Sequence, residues 1–183
     1  SLRVYAFVDG QPAGHFYTKD GLDVNNPSFL MHLTMYSTMT QKVDFYVVAN
    51  EAAMETPGSS VLLTENTTET QLNHFTFTKL NTSKGLPMFC KQTETIDLTQ
   101  LSDKTPADPG HAGHTLLRQD LTFELKRPIG KLGVFAAKPV GENSSLRVTG
   151  LTVLASGTRT RNYLMPQTDE TLKAITGITG DIS

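Results

Sequence analysis

Two-residue alternation of apolar and polar side chains, broken repeatedly by turn residues, is what most limits the folds open to this chain. Leu2–Val8 has this strand character and stops at Asp9 and Gly10, a strong hairpin dipeptide. Residues 29–35, 43–49, 74–80, 88–96, 120–126, 130–137 and 145–154 read as further strands, separated by Gly, Pro, Asn and Asp. In 29–35, Phe29, Met31, Leu33 and Met35 share one side; in 74–80, Phe75 and Phe77 do. In 120–126, Leu121, Phe123 and Leu125 turn inward, while Thr122, Glu124 and Lys126 turn to water. Threonine is frequent in these segments, and its branched β-carbon suits a pleated surface. Helical composition is confined to residues 51–55, stopped by Pro57 and Gly58, and to 169–174. The expected fold is all-β, with seven to eight strands and minor helical turns in a two-sheet sandwich.

Residues 43–51 depart from plain alternation. Val43, Phe45, Val47 and Ala49 fall on one side, with Asp44, Tyr46 and Val48 on the other. The segment therefore begins wet on one face and ends apolar on both. We expect its end to be covered by the opposite sheet on one face and by the turn at Ala52 to Met54 on the other. Asn50 suits the exit, because its side chain bonds nearby backbone and tolerates turn geometry.

The periodic part ends near Ser156, which divides the chain into a β-sandwich over 1–156 and a polar linker over 157–183 that begins a further domain. The abrupt start in strand sequence at Ser1 is expected of a processed or trimmed chain. A net charge of -2 over 183 residues gives no basic footprint for phosphate, so nucleic acid is not an expected partner. No apolar run approaches the roughly 20 residues that a membrane helix needs.

Motifs that would carry chemistry are sparse. His111 and His114, with Asp103 and Asp108 upstream, have the most ligand-like spacing, yet they lie in a Pro- and Gly-rich loop with nothing rigid to fix a metal. His15, His32 and His74 sit in separate segments without an adjacent carboxylate motif. Cys90, the one cysteine, reads as a small buried hydrophobe. Nucleophile elbow, His-Glu-x-x-His helix and phosphate loop are all missing, and Gly130 and Gly133 read as sites of close backbone approach. The expectation is a non-enzymatic protein with no catalytic, cofactor-binding or metal-binding residues and no cofactor. Glycosylation sequons at Asn66, Asn81 and Asn143 carry little weight in a chain this rich in Ser and Thr. Phe16, Tyr17, Tyr36 and Tyr163 are the aromatics available to stack on sugar rings.

Three blocks, residues 1–10, 43–55 and 121–135, resemble in order the N-terminal domain of the Bacteroidales fimbrillins, or type V pilins. The shared pattern is an opening strand with a Gly turn, a strand ending Val-x-Ala-Asn, and a later strand with a basic residue before an apolar stretch; it departs at residues 128–130. The resemblance implies a transthyretin-like β-sandwich followed by a second similar domain, exported as a lipoprotein to the cell surface and outer membrane. It also implies a fimbrial subunit or anchor whose N-terminal strand is removed by proteolysis. The groove so exposed accepts a strand from the next subunit, head to tail. Arg159 and Arg161 would be targets for a trypsin-like protease. The alternative is a surface adhesin binding glycan or host protein, and a metal enzyme using His111 and His114 stands third.

Overall fold

Asp9 and Gly10 turn the chain with φ of 49° and 76°, the two positive values of a type I′ hairpin. In the computed structural model, which describes residues 1–55, 63–100, 118–129 and 161–167, this turn joins β1 (Leu2–Val8) to β2 (Gln11–Thr18). β3 (Thr40–Ala49) returns along the other side of β1, and β7 (Met88–Asp97) pairs with β3. The sheet is antiparallel throughout, in the order β2-β1-β3-β7. An all-β fold is what the chain adopts. β2 was not anticipated, because Pro12 and Gly14 suppress its strand signal. The Asp9 and Gly10 turn nonetheless requires a returning strand.

Each face of the sheet carries a buried apolar cluster. On one, Leu2, Val4, Ala6, Val43, Phe45, Val47, Ala49 and Cys90 form a continuous core. On the other, Tyr5, Phe7, Tyr46 and Val48 pack with Leu63, Leu72, Phe75, Leu164 and Met165. Arg3 is also enclosed, so β1 is buried from Leu2 through Phe7, as a central strand covered on both sides must be.

The first face is roofed by two extended segments rather than by hydrogen-bonded strands. Phe29, Met31, Leu33 and Met35 point down onto it, as do Leu121, Phe123 and Leu125. Phe16 stacks on Phe29 at 4.5 Å and Phe45 meets Phe123 at 5.4 Å between ring centroids. The expected alternation is present in both segments, but the expected ladders are not. Among the described residues, 29–35 makes one backbone bond to the sheet, Thr34 N to Ala13 O at 2.7 Å. Among the described residues, the main-chain bonds of 120–126 to β7 are the pair exchanged by Lys126 and Phe89 at 2.7 and 2.8 Å, beside a side-chain bond from Gln92 Nε2 to Thr122 O at 3.3 Å. The reason is geometric. Side chains that point down onto a sheet hold their backbone above its plane, out of reach of its main-chain groups. Gly14 permits the close approach, since a Cβ there would lie 2.8 Å from His32 O.

Around the second face the chain is more broken than expected. Residues 51–55 are a 3-10 turn, Glu51–Ala53, followed by the extended pair β4 (Met54–Glu55). Residues 74–80 are not one strand. α1 (Glu69–Asn73) ends at His74, after which β5 (Thr76–Phe77) pairs with β8 (Asn162–Tyr163), and β6 (Lys79–Leu80) pairs with β4. α1 begins with a capping box in which Thr68 and Gln71 satisfy each other's backbone N–H groups.

Part of the stretch expected to be linker is core. Residues 161–167 place Leu164 and Met165 at 0% and 2% exposure against the second face. Its bonds Leu164 N to Phe75 O at 3.1 Å and Gln167 Nε2 to Asn73 O at 2.7 Å tie it to α1 and β5. Polar composition on the flanks hid a short apolar pair that only long-range packing reveals. The boundary at 156, the expected strands 130–137 and 145–154, and the expected helix 169–174 lie outside the described residues. Among the described residues no helix is long and apolar enough to cross a membrane.

Candidate functional site

In an antiparallel strand successive residues send both backbone groups to opposite neighbours. Phe89 bonds outward to Lys126, so Lys91, Thr93 and Thr95 also direct their N–H and C=O groups away from β3. All three are exposed, and among the described residues none of their outward backbone groups has a main-chain partner. Among the described residues the edge therefore takes a partner at one end and presents a row of donors and acceptors along the rest.

Side chains along this edge are polar on the second face. Lys42, Thr93 and Thr95 are exposed, Asp44 is half-buried, and the Thr93 hydroxyl donates to Asp44. The sequence 43–49 therefore does begin wet, and its second face becomes apolar where Leu72, Phe75, Leu164 and Met165 cover Tyr46 and Val48. The expected cover from the following turn is limited to a partial contribution from Met54. Asn50 leaves the strand in the left-handed region at φ 57°, but its amide donates to Leu86 O, 36 residues away, rather than to nearby backbone. At the Phe89 end the edge opens on a cavity of about 290 Å³ lined by Phe89, Arg127, Pro128, Tyr163, Leu164 and Met165.

Among the described strands the opposite edge is β2. Ala13 O points outward to Thr34, which makes His15 and Tyr17 the next outward-facing residues. Here a polar cluster is organised by Arg3. Its Nε and Nη2 donate to Glu51 Oε2 and Oε1 at 2.8 and 2.9 Å, its Nη1 donates to His15 Nε2 at 3.0 Å, and its guanidinium lies 4.0 Å from the Tyr17 ring centroid. Burial opposes the charge on Arg3, but hydrogen bonding to Glu51 and the charge of its carboxylate outweigh it and raise the pKa. The paired side chains are 9% and 17% exposed. Glu51→Gln is expected to destabilise the fold by about 2 kcal/mol, somewhat less than severing a fully buried pair. Chemical denaturation at neutral pH measures it, and a change under about 0.5 kcal/mol would show the pair to be ornamental to the fold.

Two other polar contacts fix the second face. The Tyr46 hydroxyl donates to Glu69 Oε1 at 2.7 Å, docking α1 on β3, and Tyr5 donates to Thr64 O at 2.7 Å. Burial, with the neighbouring Glu69 carboxylate, pushes the Tyr46 pKa well above its ordinary value, so the hydroxyl remains a donor.

The residues singled out in the sequence scatter. Cys90 is buried, and burial raises its thiol pKa. His15 belongs to the Arg3 cluster, while His74 is exposed with Nδ1 2.8 Å from Thr70 O. His32 is exposed on the segment over the first face. Phe16 is half-buried against Phe29, and Tyr163 is half-buried at the cavity. Tyr17 and Tyr36 are exposed, but Tyr36 already donates to Pro12 O at 2.6 Å and Tyr17 lies against Arg3. Asn66 is exposed; the Asn81 amide is engaged by Glu55 and Ser83. His111, His114, Asp103, Asp108, Gly130, Gly133, Asn143 and Arg159 lie outside the described residues, whereas Arg161 is exposed. Among the described residues no three His, Cys, Asp or Glu side chains group as a metal site. Sequence alone did not mark either sheet edge, because a strand's place in the sheet depends on which segments flank it.

Neither a family model nor a curated protein matches the chain. Among solved structures it is similar to a fimbrial assembly protein from Parabacteroides distasonis ATCC 8503, with a TM-score of 0.47 and 20% identity. The similarity covers 100% of this chain and 64% of that one, so the chain spans less than two thirds of that protein's length.

Proposed function

We propose that this protein is a structural component of a bacterial surface fimbria, a subunit or anchor that joins its neighbours by strand addition. It acts by binding rather than catalysis and requires no cofactor. The observation that carries the reading is the outer edge of β7, where Lys91, Thr93 and Thr95 present main-chain groups beside a strand already held firmly by β3. An extended segment from another subunit would complete this ladder and place alternate side chains over the sheet. Donor and acceptor are different surfaces, so the contact is head-to-tail and propagates. The ordered sequence blocks supply the fimbrial context, and with it the cell-surface setting, the lipid anchor and the further domain. An adhesin role toward glycan or host protein is the second reading; Tyr36 and Tyr17 are its exposed aromatics, the one tied through its hydroxyl to Pro12 O and the other with Arg3 over its ring.

A peptide copied from a neighbouring subunit's terminal strand is expected to raise the melting temperature. At about 100 times its Kd the gain is about 2.7 kcal/mol. Thr93→Pro removes an outward N–H without touching the β3 ladder and should abolish the gain. Thr93→Val, which keeps the N–H and loses only the bond to Asp44, should retain it. A peptide that leaves the melting temperature unmoved at saturation sinks the proposal.

A further inference from the structure

Arg3 ties three elements together. From β1 it reaches Glu51 on the 3-10 turn and both outward residues of β2, His15 and Tyr17. A guanidinium can only donate, so the 3.0 Å contact makes His15 Nε2 the acceptor and the imidazole neutral. Glu51 is held by Arg3 through both of its oxygens, which fixes the guanidinium with Nη1 aimed at His15. A proton on Nε2 would therefore set two donors and two positive charges against each other at this distance.

We infer that the His15–Arg3–Glu51 cluster is a pH-sensitive latch on the β1–β2 hairpin, released when His15 takes a proton. The hairpin is the element exposed to such a switch, because among the described residues β1 is the one strand that pairs with β2. The groups facing His15 come from four places: Arg3 and Tyr5 on β1, with the Tyr5 ring 5.1 Å from the imidazole; Tyr17 on β2; Glu51 on the 3-10 turn; and Glu65 ahead of α1. Burial and then Arg3 hold the His15 pKa below its ordinary value, while Glu65 and Glu51 pull weakly the other way. The sign follows. Below the ordinary histidine range the unfolded chain accepts a proton that the latched chain refuses, so the latch loses stability as pH falls. The inference is independent of the fimbrial reading and of the β7 edge.

Hydrogen exchange on the whole chain tests it. Between about pH 7.5 and about pH 5, a span that brackets the histidine range, amides of β2 should lose protection by about threefold or more after correction for intrinsic rates. Those of β3 should not. In His15→Gln the amide oxygen can still accept from Arg3 and has no proton to gain, so the difference between strands should vanish. Equal loss in His15→Gln, or unchanged protection of β2 in the parent chain, overturns the latch. Should His15→Gln fold poorly, Glu65→Gln serves instead: removing that carboxylate should move the release of β2 to lower pH, and an unmoved midpoint overturns the inference.

Discussion

Phe45→Ala is expected to remove about 3–5 kcal/mol of stability, a large share of the about 5–15 kcal/mol available to a typical domain. Phe45 is 1% exposed at the centre of the first face, beside Val43 and Val47 and under Phe123. Deleting the ring forfeits its transfer from water and leaves a cavity that the rigid neighbouring strands cannot fill. Urea denaturation should show the midpoint falling with its slope unchanged. The same experiment on Phe123→Ala and on the double variant tests the roof. Rings in contact should couple by about 0.5–1.5 kcal/mol, whereas additivity would mean that residues 118–129 do not cover this face.

Leu164→Ala has the next largest expected effect, about 2–5 kcal/mol. Its side chain is fully buried among Tyr46, Val48, Leu72 and Phe75, although it lies 89 residues beyond Phe75 in the chain. In a solvated linker the same substitution would change stability by no more than about 0.5 kcal/mol. Thermal or chemical denaturation thus separates a segment that is part of the core from one that merely leaves it. Limited proteolysis gives a second readout: loss of Leu164 should speed cleavage after the exposed Arg161 by unseating the segment.

The comparison of sequence with structure turns on particular segments. The strand 43–49 was legible because a run that loses its polar face must be covered twice, and β3 is covered twice. Residues 29–35 and 120–126 alternate for the same reason, yet they do not join the ladder. Periodicity records which side chains are buried and is silent on where the backbone bonds go. α1 left a readable signature in Thr68 and Gln71, but five residues are too few to show helical periodicity. Of the candidate functional features, the edge that β7 presents among the described residues could not be read at all, since a strand's place in the sheet is set by its neighbours rather than by its own sequence. His15 was visible only as an isolated histidine; Arg3 and Glu51, 12 and 36 residues away, give it its environment.

The sequence by itself determined the local events: the Asp9 and Gly10 hairpin, the left-handed exit at Asn50, and the alternation that commits apolar side chains to one side. These follow from steric preference and solvation over a few residues. Only the tertiary structure decided the order β2-β1-β3-β7, the seating of Leu164 and Met165, and the meeting of Arg3, His15 and Glu51. Those depend on pairing and packing between distant parts of the chain, where many partners satisfy the same local pattern and the collective burial of both sheet faces selects among them.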